Sequence, residues 1–175
     1  MLQDEKIYLR PLRQTDLPVF TAWSNDIDYL SEFNFFGLHQ ENSRDKAFQE
    51  NGLLGVQHGM LVVIARENEQ IAGDVSYHQQ RYGPNDGSIA YNIGIVLAPE
   101  HRGKGYGVEA QRLLAEYLFA IYPVMRVEAS TDITNIPEQR ALEKAGFTRD
   151  GVLRKAQWRS GSWHDLVVYS KLRGE

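Results

Sequence analysis

The stretch Leu97-Ala-Pro-Glu-His-Arg-Gly-Lys-Gly-Tyr-Gly107 decides the fold, because the hydrophobic period changes across it. Before it, Ser88–Leu97 is a largely apolar run that reads as a strand. After it, Ala110, Leu113, Leu114, Tyr117, Leu118 and Ile121 recur at helical spacing, and Pro123 ends the helix they predict. Gly103, Gly105 and Gly107 stand at alternate positions, where they let the backbone take unusual dihedrals and come close to a ligand, so that successive N–H groups converge on an anion. The first helical turn adds its unpaired N–H groups and the positive end of its dipole. With the charges of Arg102 and Lys104, the loop is coherent as a cradle for a diphosphate; the competing reading is a tight turn and nothing more. The spacing G-x-G-x-G matches neither the dinucleotide fingerprint G-x-G-x-x-G nor the P-loop, and no hydroxyl is placed to hold magnesium.

Working back from this loop, Met60–Arg66 and Gln70–His78 predict two more strands. The polar turns Glu67-Asn-Glu69 and Gly83-Pro-Asn-Asp-Gly87 are short, as connections between antiparallel neighbours are. Lys6–Arg10 predicts a strand that Pro11 confines to an edge or an end, and Thr15 or Asp16 is placed to cap a helix through Trp23. Residues 25–51 are irregular and aromatic, with two or three short helices expected. Downstream, Arg126–Thr131 predicts a strand, Pro137–Ala145 a helix closed by Gly146, and Phe147–Trp158 with Trp163–Leu172 a hairpin around Ser160-Gly161. The order is antiparallel meander, helix, strand, helix, hairpin. That is an α+β plan in which one helix crosses over between two strands that can lie parallel.

A chain of 175 residues without repeats or linkers suits a single domain, 1–175, with a sizeable core. Its 42% hydrophobic and 24% charged residues argue against a disordered or membrane class. No apolar run approaches the ~20 residues of a spanning helix. The opening Met-Leu-Gln-Asp-Glu-Lys6 lacks the basic and apolar regions of a leader, so the expected location is cytoplasmic, with no membrane partner. A net charge of −4 disfavours a general nucleic-acid surface and is compatible with a cationic substrate. The absence of Cys removes disulfides, thiolate metal sites and an acyl-cysteine, and no metal is expected.

Arg102-Gly-Lys-Gly105-Tyr-Gly107 fits in full the cofactor loop Q/R-x-x-G-x-G/A of the GCN5-related N-acetyltransferases (GNAT), which the chain resembles. Asn135-Ile-Pro-Glu-Gln-Arg-Ala-Leu-Glu143-Lys-Ala-Gly146-Phe147 is similar to that family's following helix. The opening Leu9-Arg10-Pro-Leu-Arg13, the tail Gly151-Val-Leu-Arg154, Gly161-x-Trp-x-Asp165 and Tyr169-Ser170 resemble the subgroup of RimJ and RimL ribosomal-protein N-terminal acetyltransferases. The resemblance implies a GNAT-like fold, a mixed and mostly antiparallel sheet of about seven strands flanked by helices and splayed at its central parallel pair. It also implies direct transfer of an acetyl group from acetyl-CoA, as co-substrate, to a primary amine. The acceptor would be a protein N-terminus or a small molecule. The alternatives are detoxifying acetylation of an antibiotic, amino acid or polyamine, and a non-catalytic acyl-CoA-binding module; a homodimer is compatible with each.

The same resemblance assigns residues. Arg102, Gly103, Lys104, Gly105, Tyr106 and Gly107 would hold the cofactor's diphosphate, and a backbone N–H near Ile95 to Leu97 would polarise the acyl carbonyl. Asn135 would fix the cofactor arm or the acyl end, and it also reads as a helix N-cap. The proton-transfer groups depart from the pattern. Leu142 stands where many members carry a Tyr donor and Glu138 where the subgroup carries Ser, so Glu138 is a donor if buried and protonated, or else a solvated helix-face carboxylate. Asn92 replaces an acidic residue and can orient water, and His78 is an alternative base. An α-amine, with a reference pKa of about 7.7–8.0, is partly neutral at pH 7 and needs no strong base. Trp23, Tyr29, Glu32 and Phe33 would form the acceptor wall, unless those aromatics pack into the core. Asp165 is expected to hold the final hairpin in place.

Overall fold

The computed structural model describes residues 2–175. The strands are β1 (Leu2–Gln3), β2 (Ile7–Pro11), β3 (His58–Ala65), β4 (Gln70–Arg81), β5 (Ile89–Leu97), β6 (Arg126–Asp132), β7 (Thr148–Arg159) and β8 (Ser162–Leu172). The helices are α1 (Leu17–Trp23), α2 (Ile27–Asn34), α3 (Ser43–Asn51), α4 (Tyr106–Ile121) and α5 (Ile136–Lys144). All eight strands form one sheet in the order β1-β2-β3-β4-β5-β6-β8-β7, antiparallel except for the β5–β6 pair. This is the GNAT-like α+β plan, with α4 as the crossover between the parallel strands. The count is eight against about seven because a two-residue strand, too short to carry a period, pairs with β2.

β3 is apolar almost throughout because both faces of the sheet are covered. Leu61, Val63 and Ala65 join the larger core under α4, with Leu113, Leu114 and Leu118, whereas Met60, Val62 and Ile64 pack with Leu17 and Phe20 of the α1 side. The α4 stripe matches the sequence reading except at Ile121, which is 57% exposed in the last turn. Asp16 does not cap α1 with its side chain; its carboxylate takes the Arg13 N–H at 2.8 Å and pairs with Arg10, locking the preceding turn.

The sheet opens at its centre between β5 and β6, and β4 is bulged and close-packed beside the opening. β5 and β6 are in register only over Tyr91↔Val127, Asn92↔Glu128 and Ile93↔Ala129, so Gly94–Leu97 leaves β6 behind while still paired with β4. On the other side, the β3–β4 register slips where Gly73 has φ 154, and a Cβ at Gly73 would lie 2.1 Å from the Val96 carbonyl oxygen. Only glycine permits that approach. Among the described residues no helix is long and apolar enough to cross a membrane, and no three His, Asp or Glu side chains cluster as metal ligands.

Candidate functional site

The loop after β5 turns through Gly103 (φ 75) and Gly105 (φ 86, ψ 0), the latter being the N-cap of α4. Among the described residues, no backbone N–H from Gly103 to Val108 donates to a protein acceptor, leaving six consecutive donors at the positive end of a sixteen-residue helix. Gly107 is helical, and a Cβ there would make only ordinary contact with Leu97 Cδ1 (3.7 Å) and Ile95 Cδ1 (3.8 Å). The fold does not require glycine at 107; its missing side chain keeps the floor of a cleft open. These features fit a bound diphosphate and pantetheine arm.

The loop's two cations are arranged differently from the sequence expectation. Arg102 donates through Nε to the Leu97 carbonyl (2.9 Å) and through Nη2 to the Asp28 (2.8 Å) and Tyr29 (2.6 Å) carbonyls, so its guanidinium ties α2 to the exit of β5. Lys104 pairs with Glu67 at 2.8 Å in an exposed contact that an anion can displace at small cost. Tyr106 is buried in the main core. The cradle therefore rests chiefly on backbone N–H groups.

Beyond the loop, the splay between β5 and β6 forms a cleft of two adjoining cavities. One is lined by Tyr29, Leu97, Arg102 and Gly107, the other by Phe36, His78, Asn92, Asn135 and Gln157; Phe33, Asn34, Ile95 and Glu138 line both. His78 and Asn92 are directly paired across β4 and β5. Glu138 thus sits at the junction, where the acyl carbonyl expected near Ile95 would meet an incoming amine. Although the residue keeps part of its surface open to the cleft, burial pushes its carboxyl up to about 7, against a smaller opposing effect of Gln111. Glu138 therefore lines the cleft and is only partly exposed. Leu142 is fully buried in the main core.

The turn before α5 fixes these groups. Asn135 caps the helix, its Oδ1 accepting the Glu138 N–H at 3.4 Å while its Nδ2 donates to Thr131 Oγ1 at 3.0 Å. Burial alone would raise the Asp132 carboxyl, but the Thr134 N–H, Arg159 and the Thr134 hydroxyl outweigh it and hold the pKa at about 2. His164 Nδ1 also meets Asp132, at 2.8 Å, so the closing hairpin is pinned to this turn. Asp165 accepts the Lys155 N–H at 2.8 Å and supports the bulge of β7, the hairpin role expected of it.

The expected acceptor wall divides. Trp23 stacks on Tyr29 at 4.3 Å and packs against the α1-side core, and Tyr29 donates to the buried Asp74 at 2.9 Å. Glu32 is exposed and lines neither cavity, whereas Phe33 lines both. The cause is a break in α2 at Ser31 (φ 59, ψ 175), after which the chain runs along the cleft. Phe36, at the end of the aromatic segment Trp23 to Phe36 expected to form that wall, does line the cleft, whereas sequence reasoning missed Asn34, Gln157 and Gln111. Only Gln111 carried a signal, as an amide inside the α4 apolar stripe four residues after Gly107.

The chain as a whole resembles known proteins. The family model described as Acetyltransferase (GNAT) domain matches residues 6–148. "Probable N-acetyltransferase YjcK" of Bacillus subtilis is 30% identical over 179 residues, covering 98% of this chain and 97% of the relative. Among solved structures, RimL, a ribosomal L7/L12 alpha-N-protein acetyltransferase in complex with coenzyme A, superposes with a TM-score of 0.81 at 18% identity, covering 97% of this chain and 95% of that one. Spermidine N-acetyltransferase from Vibrio cholerae, in complex with CoA and spermine, gives 0.79 at 19% identity, covering 97% of each. At such identities these two likenesses bear on the fold alone.

Proposed function

Because the chain belongs to the GNAT acetyltransferase family, and so is an acetyl-CoA-dependent N-acetyltransferase, we propose that its acceptor is a protein N-terminal amine, as in the RimJ/RimL-like subgroup its motifs resemble. The observation that carries this reading is the charge of the cleft. Of the two carboxylates lining its acceptor cavity, Asp132 is neutralised by Arg159 and Glu138 titrates at about 7. The remaining polar lining comes from neutral amides and hydroxyls with His78. A polyamine carries further ammonium groups that need fixed carboxylates, whereas a peptide offers a single weakly basic amine and a hydrogen-bonding backbone.

In this reading the N–H groups of Gly103–Val108 hold the cofactor's diphosphate, and the backbone near Ile95 to Leu97 polarises the acyl carbonyl. Asn135 fixes the turn that presents Glu138, and Glu138 gives its proton to the departing sulfur. Asn92 and His78 orient water that removes the amine's surplus proton. Phe33 and Phe36 flank the acceptor.

The test is to follow free-thiol release with pure protein, acetyl-CoA and a panel of peptides with neutral N-terminal residues, polyamines and amino-bearing antibiotics. Release with the peptides is expected. Release with spermidine and not with peptides would overturn the acceptor assignment, and tight acetyl-CoA binding with no release from any amine would point to a binding module.

A further inference from the structure

The Asp28 and Tyr29 carbonyls are the two that the break in α2 leaves without helical partners. In an unbroken helix they would accept from the N–H groups of Glu32 and Phe33, four residues on. At Ser31 (φ 59, ψ 175) the chain departs from the helix between these partners, and the Phe33 N–H turns to the Ser31 hydroxyl at 3.3 Å. Carbonyls in that position need other donors. Arg102 Nη2 serves both, at 2.8 Å and 2.6 Å, while Nε holds the Leu97 carbonyl at 2.9 Å. A side chain of the glycine loop thus closes the first half of α2 from outside, as a basic side chain closes the C-terminal end of a helix. That first half has a second anchor in the Tyr29 hydroxyl, which donates to Asp74 at 2.9 Å. Beyond the break, Phe33 and Asn34 line both cavities of the cleft.

We propose that Arg102 is a positioning residue for the acyl acceptor and not a ligand of the cofactor's diphosphate. By donating to the two carbonyls it stabilises the broken form of α2, and through that form it sets Phe33 and Asn34 as the wall against which the amine is placed. Without the guanidinium those carbonyls must turn to water, and the segment after Ser31 is no longer held in one conformation. The residue that opens the cofactor loop therefore shapes the acceptor side of the cleft, and the Nε bond to Leu97 fixes that wall relative to the end of β5. The inference rests on the proposed function only for what the wall binds; the tie itself is independent of which amine is the acceptor.

The experiment compares the full-length protein with Arg102→Met, which keeps the stem of the side chain and removes every donor. Calorimetry gives the acetyl-CoA affinity, amide hydrogen exchange reports on Phe33 and Asn34, and steady-state kinetics give KM for whichever amine of the panel releases thiol. The acetyl-CoA Kd should stay within about threefold, because the cradle is made of backbone N–H groups and only an exposed charge is lost. Exchange at Phe33 and Asn34 should be about tenfold faster and the amine KM about tenfold higher, the scale of a lost charge-assisted hydrogen bond. Arg102→Lys returns one nitrogen to the carbonyls without the Nε bond to Leu97, and should restore part of both. An acetyl-CoA Kd weakened tenfold or more in Arg102→Met returns Arg102 to the diphosphate and overturns the proposal, as does unchanged exchange at Phe33 and Asn34. A lower melting temperature with the amine KM unmoved makes the tie structural only and overturns it as well. Exchange and calorimetry need no acceptor, so they decide the tie even where the acceptor assignment fails.

Discussion

Glu138 shows how one residue's surroundings select its chemistry. In water a glutamic acid is ionised at neutral pH and useless as a proton donor; enclosed between α4 and the cleft, it is half protonated at about 7. The sign follows directly. As the proposed donor, Glu138 is in its acid form below that value and loses it as pH rises through it, so kcat should fall on the alkaline side. The amine must be neutral, so kcat/KM rises with pH towards the α-amine pKa of about 7.7–8.0. The same raised value means that the folded chain holds this proton more tightly than the unfolded one, a contribution to stability that is complete in acid and fades as pH rises through about 7. Glu138→Gln keeps the shape and removes the transferable proton. Steady-state kinetics should show kcat reduced by roughly 100-fold or more, with the alkaline limb gone and the KM for acetyl-CoA unchanged. An intact kcat with a raised KM would return the residue to a binding role.

At the scale of elements, the β5–loop–α4 unit does the positioning, and its parts were unequally legible. The change of period across Leu97–Gly107 and the alternate glycines announce a strand, a cradle and a helix from sequence alone. The tie from Arg102 to the Asp28 and Tyr29 carbonyls had no such signal, because an arginine beside a phosphate loop reads as a phosphate ligand until the partner element is in place. Likewise nothing local marks Ser31 as the residue that breaks α2 and sends Phe33 and Asn34 to the cleft, because a positive φ is uncommon at serine and has no sequence signature there. Gly107 offers the sharpest test of the unit. Gly107→Val leaves the fold intact, with stability unchanged or raised by about 0.5 kcal/mol because valine exceeds glycine in helix propensity. The new side chain fills the cleft floor beside Ile95 and Leu97. Calorimetry should find acetyl-CoA affinity lowered roughly tenfold or more, about 1.4 kcal/mol, and undiminished affinity would mean the cleft carries no cofactor arm.

Over the whole molecule, the short turns foretold the β3–β4–β5 meander, and the α4 crossover foretold the parallel β5–β6 pair. Less legible was the position of the closing hairpin, in which β8 and not β7 lies beside β6. The inward-facing Val167 and Tyr169 of β8 drive that choice, and β7 is left as an exposed edge. The hairpin then meets Asp132 through Arg159 and His164, so the far end of the chain braces the turn that carries Asn135 and Glu138. Loop, splay and brace converge on a single cleft, and the proposed reading would set the diphosphate on the α4 N-terminus and the thioester between β5 and β6. Titration of ¹⁵N-labelled protein with acetyl-CoA addresses that convergence most directly. The largest amide shifts should fall on Gly103–Val108 and on Ile95 to Leu97; unmoved loop amides, with the shifts gathered on β7 and β8 instead, would contradict it.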